Sequence, residues 1–556
     1  MKSLESQVRY TIVINEIMAD PAPPAGLPNS EWIELTNTND TPVDLQGWQI
    51  GNRTSQSGPL PSFILYPDSY VIICNSNSAP ALSVYGNVLA VTSFPSLGND
   101  GDELFLRSVN GMIIHAVSYS AAWYRNALKK EGGWTLEMVD NSNPCMGYDN
   151  WKASENVNGG TPGVINSVNG ATIDLFSPVI EQAYAIDNST IVLVSSEPLD
   201  SLIAANSFNY TIDGGLSVTN ATTISPSFTE IHLKTNSLLD TNKIYTITIS
   251  NLADCQGNII QPGYKVVAGL SSDADVREIV INEILFNPGA NGFDFLEIYN
   301  RSNKIIDAGK LYLANRNSSN AIGSIMALSA RPRPILPGGY LVATVDASIL
   351  ALNYFVQDPK AVLEPSSFPS FPDDKGTAVL LDQQGKVLDE VSYVDKWHFK
   401  LIDNPEGISL ERIDPAGSSQ EAGNWHSAAS TSGYGTPGYK NSQFKTTAEG
   451  DAMIEILPKI FSPDNDGFDD IATIKYKIPE PGYVANITIF DAAGRPVRNL
   501  VRNATLSASG YWNWNGLDDK GQKLAVGVYI FFTEIFNLEG KKRNFKNTVV
   551  VAGKLK

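Results

Sequence analysis

The chain has 556 residues, with 40 Lys and Arg against 59 Asp and Glu, a formal net charge of -19 and four histidines. This length is enough for about four domains of ordinary size. The negative charge argues against nucleic acid and anionic lipid as partners, and no apolar run approaches the roughly 18 residues needed for membrane insertion.

An internal repeat begins near the N-terminus, and its landmarks recur later in the same order. Each copy consists of short Val-, Ile- and Tyr-rich segments with alternating polarity, separated by Gly, Pro, Asn and Asp, a pattern that predicts strands and turns. Such strands must bury one face against a second sheet, so each copy is predicted to be an immunoglobulin-like β-sandwich. The matching landmarks are Ile14-Asn15-Glu16-Ile17 with Ile281-Asn282-Glu283-Ile284, Leu136-Glu137-Met138 with Leu410-Glu411-Arg412, Asn150-Trp151 with Asn424-Trp425, and Gly160 to Gly163 with Gly435 to Gly438.

These landmarks resemble the lamin-tail domain, whose bacterial members carry the same Ile-Asn-Glu-Ile opening and the same Asn-Trp and Gly-Thr-Pro-Gly closing motifs. The resemblance covers residues 1–166 and 273–444 and implies two lamin-tail-like β-sandwiches. The first copy departs from the pattern at Pro67-Asp68-Ser69, where the second keeps Pro337-Gly338-Gly339.

Between the copies, residues 167–272 alternate Ser, Thr and Asn with aliphatic residues, which predicts further strands. The motifs Phe176-Ser177-Pro178, Ser196 to Leu199 and Leu252 to Asn258 resemble the bacterial Ig-like domain of many surface proteins. That resemblance implies a spacer or a binding face. Linkers rich in small and acidic residues are predicted near Ser271 to Asp273 and Thr446 to Gly450.

The last module covers residues 452–556. Its motifs, in chain order, are Phe461-Ser462-Pro463, Ile487 to Arg498 and Tyr511 to Gly521. This order resembles the Ig-like domain of the flagellar hook-capping protein and the C-terminal sorting domain of type IX secretion cargo in Bacteroidetes. The terminal Val549 to Lys556 is only broadly like a sorting-domain terminus, so secretion by that route is a hypothesis. The predicted fold class is all-β, with four tandem β-sandwich modules.

Asp464, Asp466 and Asp470 are the candidate metal ligands, with calcium as the one candidate cofactor. Clustered carboxylates in a tight loop can supply some of the six to eight oxygens that calcium takes. Gly467 is the fourth residue from the first Asp, whereas an EF-hand has glycine at the sixth, so EF-hand geometry does not transfer. The alternative is an Asx-rich turn in which Gly467 takes positive φ.

Two acids recur in both copies, Glu16 and Glu34 in the first and Glu283 and Glu297 in the second. Paired acids are typical of glycosidases, but their presence in both copies favours a role common to the fold. We predict that they are strand-edge carboxylates that accept hydrogen bonds from loop amides. No serine elbow, phosphate-binding loop or zinc-protease motif occurs in the sequence, which predicts a protein that is not an enzyme.

Two pairs of tryptophans occupy equivalent places in the repeat. Trp151 and Trp425 are predicted to be core residues. Trp123 and Trp397 lie in predicted loops and are the candidate residues for a binding surface.

The three cysteines, Cys74, Cys145 and Cys255, fall in different predicted modules and lack close ligand spacing, so we expect neither a disulfide framework nor a zinc site. The stretch Met1 to Glu5 lacks the apolar segment of a signal peptide. Either an exported precursor was trimmed, or the chain is cytosolic.

Together these features predict a non-catalytic extracellular or cell-surface protein, with the periplasm as a further compartment, that mediates adhesion or assembly in a bacterial envelope. Its partner would be a protein or polysaccharide of the envelope. A narrower hypothesis is that the chain is a cargo or component of type IX secretion or gliding machinery and contacts outer-membrane secretion components. The alternative is an accessory region of an extracellular hydrolase, such as a nuclease, phosphoesterase or glycan-active enzyme, because lamin-tail-like domains also accompany such enzymes.

Overall fold

The structure, a computed structural model, describes residues 8–445 and 451–553. Regular structure in these residues is mostly β-strand arranged in separate sheets, which confirms the all-β class. The chain divides into two compact units, Met1–Leu270 and Ser271–Lys556. The described part of the chain contains no helix with the length and apolarity to cross a membrane. The predicted linker at 446–450, the N-terminal stretch 1–7 and the last three residues lie outside the described residues.

The first unit is built from eighteen described strands and two single-turn helices. Short 3-10 helices occur at Ala121–Tyr124, Lys129–Glu131, Gly147–Asn150 and Ser207–Asn209. The strands are β1 Ile12–Met18, β2 Trp32–Asn37, β3 Val43–Asp44, β4 Gln49–Gly51, β5 Ile64–Leu65, β6 Tyr70–Asn75, β7 Val88–Val91, β8 Gly101–Arg107, β9 Ile113–Ser120, β10 Leu136–Met138, β11 Trp151–Ala153, β12 Ile180–Asp187, β13 Thr190–Ser195, β14 Tyr210–Ile212, β15 Val218–Ile224, β16 Glu230–Thr235, β17 Tyr245–Ile249 and β18 Tyr264–Ala268, with helices α1 Ala79–Leu82 and α2 Ser201–Ala204.

The first repeat copy is a sandwich of two sheets. One sheet has the order β11-β10-β1-β2-β6-β7, antiparallel except for the parallel pair β6 and β7, and the other has the order β4-β8-β9. Strands β1 and β2 are buried along their whole length because both faces of the large sheet are covered. Leu35 from the large sheet and Leu104 from the small one meet in one core around Trp48 and Trp151.

The rest of the first unit is a second sandwich, formed by a four-stranded sheet of order β12-β13-β16-β15 and a three-stranded sheet of order β14-β17-β18. Strand β17 alternates buried and half-buried residues, as its Tyr-Thr-Ile-Thr-Ile sequence predicts for a strand with one face in the core. Ile191, Ile231 and Ile247 are completely buried in that core.

The second unit contains the remaining strands and one helix of two turns. Short 3-10 helices occur at Ala308–Lys310, Pro359–Ala361, Asp395–Trp397, Ala422–Asn424 and Ser430–Ser432. The strands are β19 Ile279–Leu285, β20 Phe295–Asn300, β21 Ile306–Asp307, β22 Leu311–Arg316, β23 Ile322–Ala327, β24 Pro334–Ile335, β25 Tyr340–Thr344, β26 Val362–Leu363, β27 Lys375–Asp382, β28 Val387–Val394, β29 Leu410–Arg412, β30 Trp425–Ser427, β31 Met453–Leu457, β32 Ile460–Phe461, β33 Ala472–Lys477, β34 Tyr483–Asp491, β35 Pro496–Thr505, β36 Ser509–Trp514, β37 Gly527–Asn537 and β38 Lys542–Val551, with helix α3 Ala347–Asn353.

The second repeat copy has the same strand order as the first. Its large sheet runs β30-β29-β19-β20-β25-β26, which matches β11-β10-β1-β2-β6-β7 strand for strand and again ends in a parallel pair. Its smaller sheet, β23-β22-β27-β28, has one strand more than its counterpart. The shared order confirms the internal repeat that the landmarks predict.

The C-terminal part of the second unit is a further sandwich, with a three-stranded sheet of order β31-β33-β36 and a five-stranded sheet of order β32-β38-β37-β34-β35. Trp514 is its central core residue, with ring centroids 5.3 Å from Phe461 and 5.2 Å from Phe531. The four predicted module boundaries remain predictions.

The expectation of no disulfide is wrong, because Cys145 and Cys255 form a disulfide with 6.3 Å between their Cα atoms. The two residues are 110 positions apart and come from different predicted modules, so local spacing carried no signal of their pairing. The bridge lies beside a hydrogen bond from Gln256 Nε2 to the Ser142 carbonyl, 2.8 Å long. Cys74 is a buried free cysteine, and burial raises the pKa of its thiol to about 11.

Candidate functional site

Three glutamates of the first copy lie side by side in the middle of its large sheet. Glu16 on β1 is opposite Glu34 on β2 and opposite Glu137 on β10, and all three side chains are completely buried. Most of their donors belong to the segment that closes the copy, so the carboxyl groups fix this loop to the sheet. The donors are Thr135 Oγ1 (2.6 Å) and the Thr161 amide (2.8 Å) to Glu16, Asn15 Nδ2 (3.2 Å) and the Gly163 amide (2.5 Å) to Glu34, and Thr161 Oγ1 (2.9 Å), Ser167 Oγ (2.7 Å) and the Val168 amide (3.2 Å) to Glu137.

The second copy repeats this cluster with Glu283, Glu297 and Glu411, which are also completely buried. Their donors again come mainly from the closing segment, here residues 436–443. The donors are Ser409 Oγ, the Thr436 amide (2.9 Å) and Thr436 Oγ1 (2.8 Å) to Glu283, Asn282 Nδ2 (2.7 Å) and the Gly438 amide (2.7 Å) to Glu297, and Thr436 Oγ1 (3.0 Å), Ser442 Oγ (2.8 Å) and the Gln443 amide (2.8 Å) to Glu411.

These contacts confirm that the predicted acids accept hydrogen bonds from loop amides, but the acids lie on interior strands and not at a sheet edge. The third glutamate of each copy was missed, although the repeated Leu-Glu pair at 136–137 and 410–411 marked its position. The loop also requires its first glycine, because a Cβ on Gly160 would lie 2.8 Å from Glu16 Oε1.

Burial and neighbouring carboxylates hold the pKa of Glu16 and of Glu297 well above the ordinary range for glutamate. Burial likewise raises the pKa of Glu34 to about 8, against the hydrogen bonds that lower it. Paired carboxyl groups with raised pKa values also occur in glycosidases. In this structure each group is covered by its own closing loop and exposes no surface, so no substrate reaches it.

We expect the double substitution Glu16→Gln with Glu34→Gln to lower the free energy of unfolding of the first unit by about 2 to 3 kcal/mol near pH 5. At position 34 both carboxyl oxygens accept, from Asn15 Nδ2 and from the Gly163 amide, so the amide nitrogen of the substituted side chain would face a donor. At position 16 the amide nitrogen would take the place of Oε2, a buried oxygen to which no described group donates. The folded-state pKa of Glu34 lies above its unfolded value, so its contribution is complete below the unfolded pKa and declines as the pH rises through about 8. The cost of the substitution should therefore shrink at alkaline pH in denaturant titrations, and a cost that grows with pH would contradict this account.

The acidic loop of the C-terminal sandwich brings Asp464, Asp466 and Asp470 together as predicted, with one oxygen of each within 4.8 Å of the others. Several of these oxygens already accept backbone hydrogen bonds, as the alternative Asx-turn interpretation requires. The Asn465 amide donates to Asp470 (2.5 Å), and Gly467, which has φ of +89°, donates to the same carboxyl group (2.8 Å). Calcium binding at this loop stays a prediction.

If calcium binds this loop, we expect millimolar calcium chloride to raise the thermal midpoint of the second unit, since extracellular modules bind calcium with dissociation constants of about 0.1 to 1 mM. Asp466→Asn should abolish the shift, and Glu455→Gln, an exposed acid on β31 of the same sandwich, should preserve it. Titration calorimetry without heat, together with an unchanged midpoint, would leave the Asx turn as the role of the loop.

The tryptophans pack in equivalent pairs. Trp151 and Trp425 are buried in the two cores, as predicted. The ring of Trp123 lies 6.1 Å from that of Trp151, and the ring of Trp397 stacks 6.4 Å from that of Trp425. Trp123 is only 9% exposed, so much of each candidate ring serves packing, and ligand binding by Trp123 and Trp397 stays a prediction.

One edge of Trp123 nevertheless borders a cleft of about 550 Å³ within the first unit. We call it the acidic cleft, and it lies between the first sandwich, the connecting segment at 174–179 and the second sandwich. Its walls carry the aromatic side chains of Tyr148 and Phe176, and its carboxylates include those of Asp174 and Glu197. Sequence patterns did not predict this site because its residues come from segments far apart in the chain.

Asp174 and Glu197 converge with Asp254, and one oxygen of each lies within 4.8 Å of the others. Asp254 is 2% exposed and accepts hydrogen bonds from the amides of Gln256 (2.8 Å) and Asn258 (2.9 Å). Burial, together with the neighbouring carboxylates of Asp254 and Asp174, raises the pKa of Glu197 to about 8. The cluster could therefore hold a cation.

The second unit has a cleft of about 690 Å³ between the second repeat copy and the C-terminal sandwich. Phe355 and Tyr511 on its rim are 68% and 63% exposed. Hydroxyl and amide groups, including those of Ser432, Asn441 and Ser509, line the same cleft. Exposed rings beside polar donors and acceptors provide stacking and hydrogen bonds to a ligand. We call this site the hydroxyl cleft after the hydroxyl groups that line it.

A family model described as Lamin Tail Domain matches residues 5–121, within the first repeat copy. No curated protein matches the chain. Solved structures with some similarity include the N-terminal part of the bacterial S-layer protein SbsC, with 12% identity over 39% of this chain and 44% of that chain and a TM-score of 0.17. This chain thus spans less than half of that SbsC structure.

Two further structures are a DUF4876 family protein from Bacteroides thetaiotaomicron, with 13% identity over 38% of this chain and 84% of that chain and a TM-score of 0.18, and a tetra-tandem repeat from the extending region of a large adhesion protein, with 10% identity over 98% and 99% and a TM-score of 0.14. TM-scores of this size carry no argument about function.

Proposed function

We propose that the chain is a non-catalytic extracellular or cell-surface protein of a bacterial envelope, built from four β-sandwich modules, that mediates adhesion or assembly by binding a partner. The observation that carries the location is the disulfide between Cys145 and Cys255. Disulfides persist in oxidising compartments such as the periplasm and the cell exterior and are rare in the cytosol. The pairing thus favours the exported alternative over the cytosolic one.

The two clefts suggest where a partner would bind. The acidic cleft offers carboxylates between aromatic walls, which suits a basic segment of a protein. The hydroxyl cleft offers exposed rings beside hydroxyl groups, which suits a polysaccharide. The resemblance of the last module to type IX sorting domains supports a narrower proposal, in which the chain is a cargo or component of that secretion or gliding machinery and contacts its outer-membrane parts.

The non-catalytic part of the proposal is supported by the burial of the six repeated glutamates. Their hydrogen bonds give them a structural task in both copies. The alternative, an accessory region of an extracellular hydrolase, predicts an enzyme domain on the same polypeptide. The gene sequence around the coding region distinguishes the two.

Protease treatment of intact source cells tests the location. We expect antibodies against the chain to detect it in the envelope or medium, and we expect added trypsin to remove the envelope-bound fraction without lysing the cells. A cytosolic protein labelled in parallel is the control. Recovery of the chain with that control, protected until lysis, would contradict the proposal.

A further inference from the structure

We propose that the acidic cleft of the first unit binds an arginine or lysine side chain of an extended partner polypeptide, with Asp174 and Glu197 as the groups that contact the cation. This inference rests on the proposed function, because it names the chemistry of a partner for a binding protein. The cleft is large enough, at about 550 Å³, for one long side chain and the residues on either side of it.

The three converging carboxyl groups of the acidic cleft have no cationic side chain paired with them among the described residues. No N–H or O–H group of the described residues donates to Oδ2 of Asp174, a buried oxygen that faces Asp254, whereas its other oxygen accepts from the Phe176 amide at 3.1 Å. Within residues 8–445 and 451–553, no Lys, Arg or His forms an ion pair with Asp174, Glu197 or Asp254. The three converging carboxyl groups of Asp174, Glu197 and Asp254 repel one another when charged, so a cation from outside would supply a favourable interaction.

The surroundings suit an organic cation better than a metal ion. Asp254 already accepts three hydrogen bonds, one of them from Asn258 Nδ2 at 2.8 Å, which leaves few free oxygens for the six to eight that calcium takes. The exposed ring of Phe176 offers a face for cation–π contact, and Phe176 with the edge of Trp123 offers apolar surface for the alkyl stem. Phe176 is 70% exposed, so its ring is accessible to a partner.

The disulfide holds the two sides of the cleft together. Cys145 itself lines the cleft, and its partner Cys255 follows Asp254 directly in the sequence. The carboxylate cluster and the wall of the first sandwich are therefore fixed relative to each other before a partner arrives. Such preorganisation lowers the entropy cost of binding.

Binding should be coupled to proton release. The charged groups that face Glu197 are Asp174 and Asp254, while Asp149 on the opposite wall is paired with Arg125 at 3.2 Å. Because the pKa of Glu197 is raised to about 8, the carboxyl group is largely protonated at neutral pH in the free protein. A bound cation favours its charged form, so affinity should rise between about pH 6 and pH 9.

Titration calorimetry of the full chain with the capped peptide Ac-Ala-Val-Arg-Val-Ala-NH2 tests the proposal. The control peptide carries citrulline, a neutral isostere, in place of arginine. We expect one binding site for the arginine peptide and at least about tenfold weaker binding of the citrulline peptide, because a charge-assisted hydrogen bond contributes about 1.5 to 3 kcal/mol.

Glu197→Gln should weaken the arginine peptide about tenfold and maintain or raise the thermal midpoint, since it removes an unpaired carboxyl group. Glu181→Gln, an exposed acid on β12 of the same sandwich, is the matched control and should change neither. Equal affinity for the two peptides, no binding of either, or calcium binding that Glu197→Gln abolishes would each overturn the proposal. If the chain captures an envelope partner equally well with and without Glu197→Gln, this inference fails while the proposed function stands.

Discussion

Replacing Arg412 by methionine should lower the free energy of unfolding of the second repeat copy by about 3 to 5 kcal/mol, the usual cost of removing one member of a buried ion pair. Arg412 is completely buried, and its Nη1 donates to Asp389 Oδ2 (2.9 Å) and to the Ile281 carbonyl (2.9 Å). Without the guanidinium, the charge of Asp389 would remain in the core with only the Ile281 amide (2.8 Å) and Ser419 Oγ as donors.

The first copy shows how this loss could be reversed. At the positions of Asp389 and Arg412 it has His115 and Met138. His115 Nδ1 accepts from the Ile14 amide (3.0 Å), as Asp389 does from Ile281, and burial lowers the pKa of His115 to about 4. The first copy thus uses a neutral imidazole where the second uses an ion pair.

We therefore expect Arg412→Met with Asp389→His to recover most of the stability that Arg412→Met alone loses. Calorimetric scans of the full chain measure both variants through the transition of the second unit, and the transition of the first unit serves as the internal control. A loss below about 1 kcal/mol for Arg412→Met, or a double variant no more stable than the single one, would contradict this interpretation of the pair.

Removing the disulfide should lower the free energy of unfolding of the first unit by about as much as Arg412→Met lowers that of the second repeat copy. Cys145 and Cys255 are 110 positions apart and would form the ends of a long loop in the unfolded chain, and closing a loop of that size stabilises a protein by about 4 to 5 kcal/mol in the chain-entropy model. Cys145→Ser with Cys255→Ser should lower the thermal midpoint of the first unit and leave that of the second unchanged.

Reduction with dithiothreitol is the second measurement of this prediction. It should lower the midpoint of the wild-type chain to that of the double variant and should not affect the double variant further. Cys74→Ser is the control for the loss of a buried thiol, because it leaves the bridge intact. An unchanged midpoint in the double variant would show that the bridge adds nothing to the fold.

The parts of the fold that depend on local or repeated sequence could be predicted. Alternating strands and the repeated landmarks were sufficient for two equivalent sandwiches. The recurrence of Glu16 and Glu34 as Glu283 and Glu297 indicates a structural role, in agreement with their hydrogen bonds to the closing loops. Asp464, Asp466 and Asp470 are close in sequence, so their convergence in one loop followed from spacing alone.

The features that were missed depend on contacts between distant segments. Cys145 and Cys255 lie in different sandwiches, and only the packing of those sandwiches brings them together. The acidic cleft likewise requires Asp174, Glu197 and Asp254 from three separated segments. The alignment of the two copies places His115 and Met138 at the positions of Asp389 and Arg412, but only the hydrogen bonds show that a neutral imidazole replaces an ion pair.

Affinity capture from an envelope extract of the source bacterium is the most direct test of the central claim, that the chain binds a partner and does not convert a substrate. The immobilised full chain, with its disulfide intact, should retain a defined envelope protein or polysaccharide, and excess free chain should compete it away. A heat-denatured chain is the control for non-specific adsorption. Retention of nothing beyond that control, together with hydrolysis of a nucleic acid, phosphoester or glycan in the extract by the purified chain, would contradict the account.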